Sequence, residues 1–216
     1  MKISTTRLET FSDGVIAIII TIMVIEIKLP NLTRESTTAE TINHLRELIP
    51  YLITYAFSFM MVGIFWTNHH HMFHLLKHTD EQLLWQNFLF LFLLSLIPFA
   101  TAIVGTNPFI AISAVIYGVV MLLTNLSFLL MRHYSLHKDL IHHDRSRELT
   151  IKIFKVSIKA RTKALAGTIM YLIAIPLAYV NVYMAYLCYT IPPVIFFIPD
   201  GIDDEKLAEK VAEKNA

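Results

Sequence analysis

The stretch QLLWQNFLFLFLLSLIPFATAIVGTNPFIAISAVIYGVVMLLTNLSFLLM, residues 82–131, decides the fold of this chain. Its 50 residues include no Asp, Glu, Lys or Arg. A second uncharged run of 36 residues extends from Ala164 to Pro199. Because about 20 apolar residues span the roughly 30 Å hydrocarbon core of a bilayer, each run holds about two crossings. The sequence therefore predicts an all-α, polytopic membrane protein.

The apolar segments predict six transmembrane helices within one domain, residues 1–199. Pro30, Pro50 and the turn signal at residues 105–108 delimit the first four. Pro192, Pro193 and Pro199 would distort the sixth, so a regular crossing and a kinked or interfacial segment both fit the sequence. A basic polar connector precedes the last two helices, and a charged tail follows them. The predicted segments are helices over about 5–27, 50–76, 83–104 and 108–132, a connector over 133–163, two helices in 164–199 that turn near 179–181, and the tail 200–216.

Lysine and arginine counts predict the orientation in the membrane. With six crossings, 15 basic residues fall on one side, nine of them between Arg132 and Lys163, and three fall on the other. Short loops rich in Lys and Arg stay in the cytoplasm. The chain is therefore predicted as a multi-pass protein of the cell membrane with both termini in the cytoplasm.

Composition and motifs exclude several classes of function. A net charge of +1 offers no basic surface for nucleic acid, and the lone Cys188 can form no internal disulfide. No phosphate-binding loop, zinc-protease or serine-hydrolase motif occurs, so no enzyme activity, no cofactor and no metal are predicted. The T-V-G-Y-G filter of ordinary potassium channels is also missing.

The first helix combines an apolar stripe with an acidic residue. Asp13 lies about 140° from Ile18 around the helix, in a segment where a charge costs about 2.5 to 3.5 kcal/mol and needs a partner. Two interpretations fit the stripe: it lines a pore, with Asp13 held by protein contacts behind it, or it is an ordinary lipid-facing or packing surface. Steps of three, four and seven residues place the following on one side: Arg7, Phe11, Gly14, Ile18, Thr21, Ile22 and Ile25.

The second helix ends in a histidine-rich segment, WTNHHHMFHLLKH, residues 66–78. His70, His74 and His78 recur every four residues, a spacing found in metal sites. No cysteine or carboxylate lies among them. They are therefore predicted to be interfacial histidines that hydrogen-bond neighbouring helices.

Several separated motifs resemble one channel family. The first helix contains R-x-x-x-F-S-D as Arg7, Phe11, Ser12 and Asp13, and the second contains W-x-N-H-H-x-x-F as Trp66, Asn68, His69, His70 and Phe73. Further matches are Asp80, Leu83, Leu84 and Asn87, and the stretch from Ser95 through Pro98 and Phe99 to Thr101. Over residues 7–101 the chain resembles the transmembrane protein 175 family of lysosomal and prokaryotic potassium channels, and beyond them it is similar in topology only.

The resemblance implies a potassium-conducting cation channel, a homotetramer in a lipid bilayer with the first helix around the pore. In the family, an isoleucine or leucine five residues after the signature Asp forms a hydrophobic constriction, which corresponds here to Ile18. Ile22 and Ile25 are then further apolar layers, and Thr21 is the hydroxyl layer linked to cation preference. The acidic outer loop, with Glu35, Glu40 and Glu47, is a candidate source of preference for cations over anions.

The resemblance also implies that the signature is structural. Ser12 and Asp13 are expected to hydrogen-bond toward Trp66, His70 and Asn87. The remaining signature residues are Arg7, Phe11 and Asn68.

Two other classes of protein fit parts of the pattern. A proton-coupled secondary transporter would use Asp13 and the histidine cluster from His69 to His78 as a relay. A haem-containing redox protein would need histidines at matching depth on two helices, and only the second helix supplies them.

Overall fold

The computed structural model describes residues 4–27, 37–138, 140 and 147–197, and within these ranges every extended element is a helix. Among the described residues, five segments are long and apolar enough to cross a membrane: α1, α2, α3 together with α4, α5, and the part of α6 from Arg161. The prediction of an all-α, polytopic membrane protein is confirmed. The helices are α1 (Thr5–Ile25), α2 (Thr38–His74), α3 (Glu81–Leu94), α4 (Ile97–Thr106), α5 (Ala111–His137), α6 (Arg147–Val180) and α7 (Val182–Phe197).

The second helix begins earlier than the sequence predicts. Thr37 and Glu40 form a reciprocal capping box that starts α2 at Thr38, so Pro50 lies inside the helix rather than at its first turn. The Thr37 backbone N–H donates to Glu40 Oε2 at 2.8 Å, and the Glu40 N–H donates to Thr37 Oγ1 at 3.3 Å. Because the cap satisfies the first backbone donors, the helix does not need Pro50 to begin it.

The predicted third helix is interrupted. It forms α3 and α4, separated by a turn at Ser95 and Leu96. Pro98 has no N–H to donate to the carbonyl of Leu94. The regular series of backbone hydrogen bonds therefore cannot continue past Leu94. The Ser95 hydroxyl instead donates to the carbonyl of Phe92 at 2.7 Å.

Helices extend into the predicted basic connector from both sides. Residues 133–137 complete α5, and residues 147–163 belong to α6. The sequence from Arg147 to Lys163 contains no Gly or Pro, and charged side chains alone do not end a helix. The tail 200–216 lies outside the described residues.

The predicted turn near residues 179–181 is confirmed, because α6 ends at Val180 and α7 begins at Val182. Asn181 caps α7 by accepting from the Tyr183 N–H at 2.9 Å. α7 has 16 residues and includes Pro192 and Pro193. It is therefore an apolar helix shorter than the roughly 20 residues of a full crossing.

Helix α5 lies at the centre and contacts α3, α4, α6 and α7. Its amide side chain at Asn125 donates to the Ala164 carbonyl at 2.8 Å and to Thr168 Oγ1 at 2.9 Å, which joins α5 to α6. The Tyr189 hydroxyl of α7 donates to the Ala114 carbonyl at 2.8 Å. A Cβ atom at Gly118 would lie 2.2 Å from that hydroxyl, so the close approach requires glycine.

Helix α1 is peripheral. It contacts α2, α3 and α4, and these neighbours cover only one of its sides. The opposite side of α1 is not covered by these helices, and the candidate site lies on that side.

Candidate functional site

The two sides of α1 have different environments. The buried side consists of Leu8, Ser12, Ile16, Ile19 and Met23. The exposed side contains the stripe predicted from the sequence, with Ile18 58%, Ile22 41% and Ile25 77% exposed. Since a membrane protein exposes apolar side chains both to lipid and to other subunits, this side is a surface available to either.

Thr21 is the polar member of the exposed side. Its hydroxyl donates along the helix, 2.9 Å from the Ile18 carbonyl and 3.1 Å from the Ala17 carbonyl. The hydroxyl hydrogen is therefore directed at the backbone, which leaves oxygen lone pairs free to accept from water or to contact a cation.

A chain of hydrogen bonds anchors the buried side of α1. His69 Nε2 lies 2.8 Å from Asn87 Oδ1, and because an amide oxygen only accepts, that nitrogen carries the proton. Asn87 Nδ2 donates to Ser12 Oγ at 2.9 Å, and Ser12 donates to the Leu8 carbonyl at 2.9 Å. The side chains of His69, Asn87 and Ser12 are fully buried, and the chain joins α2, α3 and α1.

Asp13 has a separate partner on α2. The indole Nε1 of Trp66 donates to Asp13 Oδ1 at 2.9 Å. The hydrogen bonds from Trp66 to Asp13 and from Asn87 to Ser12 are those that the resemblance implied. Asp13 is half-buried on the flank of α1 and does not belong to the exposed isoleucine stripe.

The expected participation of His70 in this network is wrong. The neighbouring His69 occupies that place, with its ring stacked on Phe73 and Phe90. His70 faces the other way, where its ring stacks on Trp66 with centroids 5.7 Å apart. Helical periodicity is a signal that identifies His69, because it lies four residues from both Phe65 and Phe73, which are buried.

His70 instead belongs to a cluster with Glu9 and His74 that the spacing of the histidines does not predict. Its Nδ1 lies 3.2 Å from Glu9 Oε1, and its Nε2 lies 3.0 Å from His74 Nε2. Glu9 Oε1 is also 3.8 Å from His74 Nε2. Glu9 is on α1, so no spacing within the second helix could indicate its contribution.

The remaining signature residues have three different environments. Phe11 packs edge-on against Phe88 of α3, with ring centroids 5.6 Å apart. Asn68 donates to the Ile64 carbonyl of its own helix at 2.8 Å. Arg7 is exposed on the stripe.

Asp80 is the N-cap residue of α3. Its Oδ1 accepts from the Leu83 N–H at 2.8 Å, and its Oδ2 accepts from the Tyr134 hydroxyl. The carboxylate therefore joins the start of α3 to the end of α5.

Residues 7–98 match the sequence profile of the family described as endosomal/lysosomal potassium channel TMEM175. A potassium channel of Chryseobacterium sp. (strain P1-3) is 34% identical over 203 residues, which is 94% of this chain and 97% of that protein. A potassium channel of Chamaesiphon minutus is 31% identical over 185 residues, which is 84% of this chain and 87% of that protein.

The fold also matches a solved structure. The crystal structure of a lysosomal potassium-selective channel TMEM175 homolog from Chamaesiphon minutus superposes with a TM-score of 0.74 and 27% sequence identity. The match covers 89% of this chain and 95% of that one. Both proteins therefore share one helical architecture over nearly their whole lengths.

Proposed function

The chain belongs to the TMEM175 family of potassium channels, and we propose that four copies assemble with the exposed side of α1 around a potassium-conducting pore. It is a multi-pass membrane protein, and its relatives named potassium channels support a role as a channel. The observation that carries the proposal is the contrast between the two sides of α1. One side is anchored by buried hydrogen bonds, and the other presents three exposed isoleucines and a threonine.

The open side of α1 favours assembly, because one helix cannot enclose a pore. A single chain presents one stripe of α1, and copies arranged about an axis would bring these stripes together. The number four comes from the resemblance to the prokaryotic members of the family.

The residues of the stripe suggest how such a pore works. Rings of Ile18, Ile22 and Ile25 contain no charge, and their alkyl groups cannot replace the water of an ion. A narrow apolar ring closes by expelling water. Between the isoleucines, the Thr21 oxygen has lone pairs available for a partly hydrated potassium ion.

Charged side chains support two further parts of the proposal, the preference for cations and the orientation in the membrane. Glu40 and Glu47 are exposed near the start of α2, while Glu35 lies outside the described residues. Negative charge at a pore entrance would raise the local concentration of cations. The excess of Lys and Arg on the other side supports placing both termini in the cytoplasm of a cell-membrane protein.

The transporter alternative has less support. A proton relay needs groups that both accept and donate, and the contact of Asp13 is to an indole N–H, which only donates. His69 is directed at Asn87 rather than at Asp13. Saturable flux without single-channel steps would favour a transporter.

Assembly is the first testable prediction. Protein purified in mild detergent is expected to have a mass close to four times the 24.8 kDa chain, measured by native mass spectrometry. Replacing Ile25 with Glu is expected to shift this mass toward the monomer, because four carboxylates would meet on the axis. A monomer as the only species of the parent chain would contradict the proposal.

Conduction is the second prediction. Pure protein in planar bilayers under a potassium gradient is expected to show single-channel steps, with a reversal potential toward that of potassium. The steps should persist without nucleotide or a second gradient. Currents that reverse at the chloride potential, or no steps from verified tetramers, would overturn the proposed function.

A further inference from the structure

The cluster of Glu9, His70 and His74 joins the start of α1 to the end of α2. Each residue offers one oxygen or nitrogen, and these three atoms all lie within 4.8 Å of one another. In a tetrahedral zinc site with bonds of about 2.0 to 2.1 Å, neighbouring ligand atoms are about 3.3 Å apart. The distances from Glu9 Oε1 to the two rings, 3.2 and 3.8 Å, bracket that value.

The donor set is specific for one class of ion. Two imidazoles and one carboxylate suit borderline transition-metal dications such as Zn²⁺, Co²⁺ and Cu²⁺, whereas Mg²⁺ and Ca²⁺ prefer oxygen ligands only. His70 and His74 are four residues apart on one helix, which places both rings on the same face. Glu9 supplies the negative charge from the opposite helix.

One ligand atom is unsatisfied without an ion. His70 Nδ1 is buried and has no hydrogen bond within the described residues, although Glu9 Oε1 lies 3.2 Å away. A buried ring nitrogen without a hydrogen bond loses interactions that it would have in water. A metal ion between the ring and the carboxylate would satisfy both.

Two of the three residues are also accessible from a cleft. Glu9 and His74 line an open cleft of about 1060 Å³, which Thr5, Lys77 and His78 border. An ion can enter through this cleft, and water can occupy the position left by three protein ligands.

We propose that Glu9, His70 and His74 form a transition-metal site that ties the first turns of α1 to the last turn of α2. Because Glu9 lies about one turn before Asp13, a bound ion would add a second link between α1 and α2 beside the bond from Asp13 to Trp66. This site stands on its own geometry and does not depend on conduction.

Trp66 provides a direct readout, since its ring stacks on His70. The chain contains two tryptophans, so Trp85→Phe leaves Trp66 as the only one. Titrating Cu²⁺ into the detergent-solubilised Trp85→Phe protein is expected to quench its fluorescence at one ion per chain. Zn²⁺, which does not quench, should compete and restore the emission.

Two variants in this background test the ligands, and one is a matched control. Glu9→Gln and His74→Ala are each expected to weaken Cu²⁺ binding by about tenfold or more. His78→Ala should leave the affinity unchanged, because His78 follows the histidine spacing in the sequence but does not belong to the cluster. Glu9→His, which supplies another nitrogen ligand, should retain binding even where Glu9→Gln assembles poorly.

Two results would overturn the proposal. Equal affinity of Glu9→Gln and its parent would remove the carboxylate from the site. Loss of affinity in His78→Ala as large as in His74→Ala would show that the ion binds the histidine series of the second helix instead. Neither result depends on channel current, so the proposed function is tested separately.

Discussion

Replacing Ile18 with asparagine is expected to raise the single-channel current or open probability and to weaken discrimination among cations. In the proposed tetramer, four Ile18 side chains form the first apolar ring on the axis. An apolar constriction excludes water when it is narrow, so its barrier depends on the size and polarity of the side chains. Asparagine has a similar length and two polar atoms, and it would keep the ring hydrated.

Val24 offers a matched control on the same helix. It is 51% exposed, close to the 58% of Ile18, but lies about 120° from it around α1. If exposure to lipid were the only role of both residues, Ile18→Asn and Val24→Asn would have similar effects. Currents and selectivity of Ile18→Asn indistinguishable from those of the parent would place the pore elsewhere.

Thr21→Val tests the role of the hydroxyl layer separately from the role of the apolar rings. Valine keeps the branched shape but removes the oxygen that follows Ile18 along the stripe. The expected result is a loss of preference for potassium over sodium, measured as a shift of the reversal potential under bi-ionic conditions. The constriction itself should still close, because Ile18 and Ile22 are unchanged.

The sequence was sufficient for the fold class because uncharged runs of 50 and 36 residues have few stable environments outside a bilayer. The exposed side of α1 could also be predicted, since steps of three, four and seven residues define a helix face. Both inferences rest on properties of one segment at a time.

The sequence predicts least well the features that depend on contacts between segments. The start of α2 is a separate case, because the capping box of Thr37 and Glu40 is itself a local signal and Pro50 offers a second possible start. His69 and His70 are adjacent. The four-residue spacing from Phe65 and Phe73 favours His69 for the buried side, but its partner Asn87 lies on α3 and no pattern within α2 indicates it. Glu9 joins two histidines that are more than sixty residues away in sequence, so no local pattern indicates the contact.

Asn87→Leu is expected to cause the largest loss of stability among the signature residues. The Asn87 amide is the middle link of the chain from His69 to Ser12, and all three side chains are fully buried. Leucine fills a similar volume but leaves His69 Nε2 without its acceptor and Ser12 without its donor. Each stranded group costs about 1 to 3 kcal/mol, so the thermal midpoint and the yield of assembled protein should both fall.

Asn68→Leu is the control for this loss, because within the described part of the chain the Asn68 amide bonds only to the Ile64 carbonyl of its own helix, and Asn68 is half-buried. It should change the thermal midpoint little.

The loss of stability in Asp13→Ala should fall between those of Asn87→Leu and Asn68→Leu, since it removes one interhelical bond to an exposed indole. The surviving tetramers of Asn87→Leu and Asp13→Ala should keep the ion preference of the parent, because both residues act on the position of α1 and neither lies on its exposed stripe. A stable Asp13→Ala tetramer with altered ion preference would instead show that Asp13 faces the ion path, and the anchored side of α1 would then have to be reassigned.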